Sequence, residues 1–122
     1  MKIMKQENII KTKTFLFAIR IVKLYQHLNQ EKKEFILSKQ LVRSGTSIGA
    51  NVREAEQAES TADFIHKLSI SLKEANESEY WLELLNETGY FKQEEFHSIY
   101  NDLIELKKLL ISIIKTSKLN KK

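Results

Sequence analysis

Two pairs of residues have the spacing with which di-iron proteins hold a metal between helices, a carboxylate followed three positions later by a histidine. Glu94 and His97 form one such pair, and Asp63 and His66 repeat it with the shorter carboxylate. On a helix, the two members of each pair would share one face and could bind iron together. A metal-binding helical bundle of the di-iron type is therefore one candidate function.

The surrounding sequence argues against this metal site. The main apolar stripe runs through Phe64 and Leu68 in one segment and through Phe96 and Ile99 in the other, so the ligand pairs are expected to point away from the core.

The chain has no Cys, which excludes disulfides, thiolate ligands and a cysteine nucleophile. No Ser and His are arranged as a nucleophile and its base. We therefore expect no enzymatic activity, no metal and no cofactor.

A second group of candidate residues lies between Leu41 and Ala55. Small residues in this stretch would let another helix approach closely; they are Ser44, Gly45, Ser47, Gly49 and Ala50. Arg43, Asn51 and Glu54 add polar groups to the same segment and form a candidate polar cluster, either inside a bundle or at a contact between subunits. For the other residues of the stretch, a tight helix crossing with solvated charges around it is the favoured interpretation.

Charge is distributed unevenly along the chain. Residues 1–33 carry 8 Lys and Arg against 2 Asp and Glu, and residues 91–122 carry 7 against 4, whereas residues 61–90 carry 2 against 6. A basic surface can bind phosphates through counterion release without reading sequence. The candidate nucleic-acid-binding residues are therefore the lysines nearest the termini: Lys2, Lys5, Lys11, Lys13, Lys115, Lys118, Lys121 and Lys122.

Two observations weaken the case for nucleic-acid binding. Lysine-rich termini are commonly just solvated, and no zinc-finger spacing, RNP sequence or phosphate loop is present. The middle of the chain would also repel a phosphate backbone. Its acidic run is expected to be solvated or to lie between subunits, and it consists of Glu74, Glu77, Glu79 and Glu83.

Four helical segments are predicted to position these residues. The chain has no Pro and only 3 Gly, which favours a few long helices, and 122 residues with 42% hydrophobic content suit one domain. Apolar residues recur at spacings of three and four. These spacings predict helices over about residues 12–29, 34–59, 61–88 and 93–118, with the basic termini beyond them disordered.

Particular residues mark the predicted helix ends and seams. Ser60 and Asp63 predict a capping box at the start of the third helix, and Gly89 suits the left-handed position after its end. The second helix is predicted to continue through its small residues and to bury Leu41, Gly45, Ile48, Val52 and Ala55. The fourth is predicted to bury Phe96, Ile99, Leu103, Leu106, Leu110 and Ile113.

Short connections between long helices predict an all-α, antiparallel up-down-up-down four-helix bundle with both termini at one end. Surplus apolar residues suggest self-association, although a few exposed apolar side chains would be an ordinary alternative. The surplus residues are Phe15, Phe17, Ile104, Leu109 and Ile114. No run approaches the roughly 18 apolar residues of a membrane span, and residues 1–13 do not resemble a signal peptide. A cytoplasmic protein without a membrane partner is therefore expected.

Three stretches of the chain resemble the four-helix-bundle family of 23S rRNA intervening-sequence proteins. They are Arg43-Ser-Gly-Thr-Ser-Ile-Gly-Ala-Asn51 with Arg53-Glu-Ala55, then Ala62-Asp-Phe-Ile-His-Lys-Leu-Ser69, and Glu74-Ala-Asn-Glu-Ser-Glu-Tyr-Trp-Leu-Glu-Leu-Leu85. The similarity covers about residues 14–112. In many members, Ala and Gly flank the glutamate where this chain has Arg53 and Ala55.

The resemblance implies more than the residues themselves do. Members are encoded within insertions in 23S rRNA genes or elsewhere in bacterial genomes, and relatives include the accessory variability protein of diversity-generating retroelements. The family implies a ring-shaped homopentamer without known enzymatic activity. It also implies a role in binding RNA or DNA, or a nucleic-acid enzyme.

Overall fold

The computed structural model describes residues 2–120, with side chains from residue 5 onward. It contains α1 (Lys2–Gln30), α2 (Leu37–Ala55), α3 (Thr61–Glu87) and α4 (Gln93–Leu119). These helices have 29, 19, 27 and 27 residues, and the described chain has no strand. The predicted all-α fold is therefore confirmed.

The four helices form a closed bundle. Each helix packs against its sequence neighbours and α1 packs against α4, while within residues 2–120 no Cα atoms of the diagonal helix pairs lie within 8 Å of each other. This is the predicted up-down-up-down arrangement. At one end, the side-chain amide of Gln6 donates to Ser112 Oγ at 3.4 Å, so the first turns of α1 lie beside the last turns of α4. We call this end, which also holds the α2–α3 connection, the terminal end.

Helix α1 begins at Lys2, well before the predicted start at residue 12, so the amino-terminal basic segment is helical rather than disordered. Ile10 explains the extension because its side chain is only 1% exposed in the core. Thr14 is also buried, and its hydroxyl donates to the Ile10 carbonyl at 2.7 Å. The sequence here mixes Lys, Gln and Ile without a capping signal, which is why the periodicity alone missed the first turns.

Helix α2 is shorter than predicted at both ends. Glu34 lies before the helix, and its carboxylate accepts hydrogen bonds from the amides of Ile36, Leu37 and Ser38 at 3.1, 2.8 and 2.7 Å. The residues from 34 to 36 therefore cap α2 instead of belonging to it. Beyond Ala55 the chain leaves the α-helix in a tight turn, in which the Ala58 amide donates to the Ala55 carbonyl at 3.1 Å.

The predicted signals between α2 and α4 are largely confirmed. Ser60 Oγ accepts a hydrogen bond from the Asp63 amide at 3.0 Å. In a complete capping box, the Asp63 carboxylate would accept a hydrogen bond from the Ser60 amide. Here it accepts one from the amide of Glu59 instead, at 3.4 Å. Gly89 has φ 88°, which is the left-handed conformation expected after α3.

The core follows the predicted seams. All five seam residues of α2 and all six of α4 are buried. Two buried serines tie α3 to α2: Ser71 Oγ donates to the Ile48 carbonyl at 2.8 Å, and Ser78 Oγ donates to Ser44 Oγ at 2.8 Å. The small residues of α2 thus permit a close crossing, as expected. None of the described helices combines the length and apolarity needed to cross a bilayer.

Candidate nucleic-acid interface

The described lysines of the predicted basic surface that remain unpaired within residues 5–120 lie at the terminal end. Lys5 lies in the first turns of α1, and Lys115 and Lys118 lie in the last turns of α4, all with exposed side chains. Within residues 5–120 none of the three takes part in an ion pair. The side chain of Lys2 and the whole of Lys121 and Lys122 lie outside the described residues. Three lysines therefore remain as described candidates for phosphate contacts.

Two other predicted lysines are engaged within the bundle. Lys11 Nζ lies 3.1 Å from the Glu56 carboxylate, and Lys13 Nζ lies 2.6 Å from that of Glu105. The pairs join α1 to the α2–α3 connection and to α4, respectively. Because each lysine already faces a carboxylate, its attraction for a phosphate is reduced.

The predicted polar cluster on α2 is spread along the outside of the bundle. The guanidinium of Arg43 contacts Glu74 at 3.3 Å and Glu77. Asn51 donates to the Ser47 carbonyl of its own helix at 2.9 Å. Glu54 lies 3.4 Å from Lys67 Nζ. Since Arg43 and Glu54 are exposed, the three residues do not form an internal polar site.

Arg43 belongs instead to a surface network between α2 and α3. Trp81 Nε1 donates to the Glu77 carboxylate at 3.0 Å, and Arg43 donates to it as well. The hydrogen bond from Trp81, followed by that from Arg43, lowers the pKa of Glu77 below its ordinary value. Arg43 in turn has its pKa raised, mainly by the bond to Glu77. Both groups are therefore charged at neutral pH.

A matching network between α3 and α4 was not predicted. The hydroxyl of Tyr100 lies 2.8 Å from the Glu79 carboxylate and 2.9 Å from that of Glu83, and Lys107 donates to Glu79. Burial pushes the pKa of Glu79 up, but the bonds from Lys107 and Tyr100 outweigh it, and the net shift is downward. The Tyr100 pKa is raised, chiefly because its hydroxyl bonds to Glu79.

These two networks change the interpretation of the acidic run on α3. Glu74 and Glu77 pair with a cation of α2, and Glu79 pairs with one of α4. The run was expected to be solvated or to lie between subunits, yet three of its four carboxylates are in ion pairs within the bundle. The run therefore helps fix the register of α3 against both neighbours.

The candidate metal pairs lie on the surface. His66 and His97 are exposed, and the Asp63 carboxylate accepts a hydrogen bond from the Glu59 amide just before α3. Across the described residues, no three His, Asp or Glu side chains are grouped closely enough to hold a metal ion. The one buried carboxylate in that part of the chain is Glu34, whose oxygens accept backbone amides. The structure gives the di-iron alternative no support there.

Helix α1 carries an exposed apolar surface, which we call the α1 face. Four side chains form it, with exposed fractions of 51, 56, 37 and 38%: Phe15, Leu16, Ile19 and Val22. The Arg53 guanidinium of α2 lies over the Phe15 ring, 5.0 Å from its centroid. On the α2 side, the face borders a cavity of about 250 Å³ that includes Gly49 and Ala50.

The predicted surplus of apolar residues is only partly correct. Phe15 is exposed as expected, but Phe17 and Ile114 are buried, at 2 and 8% exposure. Leu109 packs against the core, and Ile104 is half-buried. Helix α4 therefore provides less free apolar surface than predicted. The exposed apolar residues of the predicted surplus are concentrated on α1. The two neighbouring apolar stripes of α1 did not indicate which of them faces the core.

Comparison with known proteins extends the resemblance over almost the whole chain. Residues 6–112 match the family model for the 23S rRNA-intervening sequence protein. A crystal structure of a protein of unknown function from the S23 ribosomal protein family of Bacteroides thetaiotaomicron is 64% identical. It aligns with a TM-score of 0.89 over 90% of this chain and 98% of that chain. No curated protein matches this chain.

Proposed function

Because this chain belongs to the family of 23S rRNA-intervening sequence proteins, we propose that it is a non-enzymatic interaction protein. In this proposal it assembles into a homo-oligomeric ring in the cytoplasm and binds nucleic acid through basic surfaces. The ring of five subunits is taken from the family resemblance. The expectation of some assembly rests on the chain's own surface.

The observation that carries the proposal is the α1 face. Phe15, Ile19 and Val22 follow one another at helical spacing, and Leu16 widens the stripe. A contiguous apolar surface of this kind is unfavourable in water and commonly marks a contact with another protein. A second copy of the chain is the proposed occupant, since burial of the face in every subunit would remove it from solvent throughout the assembly.

The border between α1 and α2 offers a receiving surface. The small side chains of Ala18 and Ala50 line the cavity there, and a partner's apolar side chain would fit beside them. A contact between the α1 face of one subunit and this border on the next is heterologous, because the two surfaces differ. Heterologous contacts generate rings when the rotation between subunits closes.

Assembly would strengthen weak phosphate binding. Lys5, Lys115 and Lys118 offer only a small basic surface on one chain. A ring repeats that surface in each subunit, so contacts made by one subunit raise the effective concentration of phosphate near the others. Lys11 and Lys13 contribute less, because each already faces a carboxylate.

The contacts of the carboxylates with lowered pKa support a binding protein rather than an enzyme. These carboxylates accept hydrogen bonds from helix amides, from the Trp81 and Tyr100 side chains, and from cations. In a catalytic site, groups with displaced pKa would be expected to surround a nucleophile or a reactive acid and base in a cleft. Here the lowered pKa values follow from contacts that cap α2 or hold neighbouring helices together.

Fluorescence anisotropy with labelled RNA and DNA of several sequences tests the proposal. We expect affinity to fall steeply with salt and to vary little with sequence. Replacing Lys5, Lys115 and Lys118 together by Gln should weaken binding and flatten the salt dependence by roughly one unit of log–log slope for each lysine in contact.

The matched control replaces three exposed lysines away from the terminal end, Lys32, Lys39 and Lys73, by Gln. This variant has the same net charge and should bind nucleic acid nearly as well as the wild type. Equal weakening by both triple variants would contradict a localised basic surface. Salt-insensitive binding, or no binding at low salt, would contradict the nucleic-acid proposal and leave a protein partner as the alternative.

A further inference from the structure

A polar cavity of about 380 Å³ opens at the terminal end. Glu7 of α1 lies on one side of it, Glu56 and Glu59 of the α2–α3 connection lie on another, and Ser117 and Asn120 of α4 complete the wall. Ala55 and Phe64 supply apolar surface. All four helices therefore contribute to one cavity in which carboxylate and hydroxyl oxygens are the dominant polar groups.

One of these oxygens is buried and has no hydrogen bond within the part of the chain that the structure describes. Ser117 is 4% exposed, and its Oγ has no hydrogen-bond partner among the described residues. Serine and threonine hydroxyls inside helices can bond to the carbonyl four residues earlier, as Thr14 does in α1. A buried hydroxyl without a partner loses hydration free energy, and such groups commonly mark a bound water or ligand.

Among the described residues, Glu7 also has no positive partner. It is half-buried, and no described residue makes an ion pair or side-chain hydrogen bond with it. Burial, and then the nearby charge of Glu56, raise the pKa of Glu7. The Glu56 carboxylate is engaged by Lys11. The carboxyl-terminal end of α4, whose carbonyls carry partial negative charge, reaches the same cavity and adds to its preference for a cation.

We propose that this cavity binds a small organic cation through a primary ammonium group. The ammonium carries three N–H donors, which would bond to the Glu7 carboxylate and to Ser117 Oγ while its charge offsets the surrounding carboxylates. A directly coordinated metal ion fits less well, because the described residues contain no compact group of three metal-ligating side chains. This inference does not depend on nucleic-acid binding or on ring assembly.

Isothermal titration of the full chain at low salt with 1,4-diaminobutane tests this inference. The expected dissociation constant is below about 1 mM. Tetramethylammonium has the charge of an ammonium but no N–H donor, and we expect at least tenfold weaker binding. Equal binding of both cations, or no binding of the diamine at millimolar concentration, would overturn the proposal.

Variants assign the binding to this cavity. Glu7→Gln should weaken diamine binding at least tenfold and Ser117→Ala about threefold, with an unchanged circular dichroism spectrum. The control is Glu31→Gln, which removes the same charge at an exposed position of the opposite end and should leave the affinity unchanged. Equal losses in Glu7→Gln and Glu31→Gln would show general charge attraction and contradict the site.

Two more titrations identify the occupant. In the first, magnesium ion is titrated into the wild type and into Glu7→Gln. If magnesium binds the wild type more tightly than the diamine does, and does not bind Glu7→Gln, the cavity is a metal site and the ammonium assignment is overturned. The variant with Lys121→Ala and Lys122→Ala should bind the diamine as the wild type does. Diamine binding that appears only in this variant would show that the chain's own lysines fill the cavity and would overturn an external ligand.

Discussion

A Cβ atom on Gly45 would stand 2.9 Å from Cγ2 and 3.0 Å from Cγ1 of Ile21. Ile21 is fully buried, and its β-branched side chain has little freedom to rotate away. Helices α1 and α2 therefore cross at a distance that only glycine permits at this position. The small residues of α2 are in this respect structural, and Gly45 sets how closely α1 approaches.

Gly45→Leu should destabilise the fold, because the added side chain would force α1 and α2 apart. The expected loss of unfolding free energy is about 1–3 kcal/mol, measured by urea denaturation. Asn76→Leu places the same side chain at an exposed position of α3 and should change stability by no more than about 0.5 kcal/mol. An unchanged denaturation midpoint for Gly45→Leu would contradict the close crossing.

The cap formed by Glu34 makes stability depend on pH. Burial raises the pKa of Glu34, but hydrogen bonds from Leu37, Ser38 and Ile36 outweigh that effect, so the net pKa lies below the ordinary 4.5. A carboxylate with a lowered folded-state pKa stabilises the fold fully above its unfolded-state pKa. That stabilisation disappears as the pH falls through the folded-state pKa.

Glu34→Gln should therefore reduce the unfolding free energy by about 1 kcal/mol at pH 7, since amide hydrogen bonds to a charged acceptor are stronger than those to a neutral one. Urea denaturation at several pH values should show the difference from wild type shrinking below about pH 4.5. Glu31→Gln, at an exposed position, is the control and should show no such trend. A difference that is constant with pH would rule out an ionised cap.

Trp81 reports on the network between α2 and α3. It is the only tryptophan of the chain, and its Nε1 donates to Glu77. Its fluorescence should change as the pH falls through the lowered pKa of Glu77, below 4.5. Arg43→Gln removes a cation that lowers this pKa, so the fluorescence midpoint should move to higher pH. An identical midpoint in both proteins would show that Arg43 does not act on Glu77.

The α1 face gives a prediction about assembly. Ile19→Glu should lower the oligomer mass, because it places a charge in the proposed apolar contact, and should leave the helical signal largely intact. Leu109→Glu is a poorer test, because Leu109 packs against the core and its replacement would also destabilise the subunit. Asn76→Glu is the matched control, and its mass should equal that of the wild type in light scattering. Equal masses for Ile19→Glu and the wild type would exclude the α1 face as the contact.

Periodicity predicted what lies inside the bundle better than what lies between its helices. The seams of α2 and α4 were correct because burial of one face leaves a three- and four-residue spacing in the sequence. On α1, two adjacent stripes left Phe15 and Phe17 undistinguished, and only packing showed that Phe17 faces inward. The pairs of Arg43 with Glu77 and of Lys107 with Glu79 could not be predicted, because they depend on the rotation and register of separate helices.

The cavity at the terminal end could not be predicted from the sequence either. Glu7, Glu56 and Ser117 are far apart in the sequence, and no local spacing connects them. Their proximity follows from the antiparallel topology together with the tight turn after α2. The sequence did predict that the termini share one end, and therefore that Lys5 lies near Lys115 and Lys118. It did not indicate that Glu56 and Glu105 would engage Lys11 and Lys13.

The molar mass of the wild-type chain in solution tests the central claim most directly. Light scattering at micromolar concentration should give five times the 14.3 kDa of one chain, in agreement with burial of the α1 face in a closed ring. A mass that corresponds to another closed oligomer would support assembly and correct the number of subunits. A mass of 14.3 kDa would contradict the account, because the α1 face would then remain exposed and the lysines of different subunits could not act together.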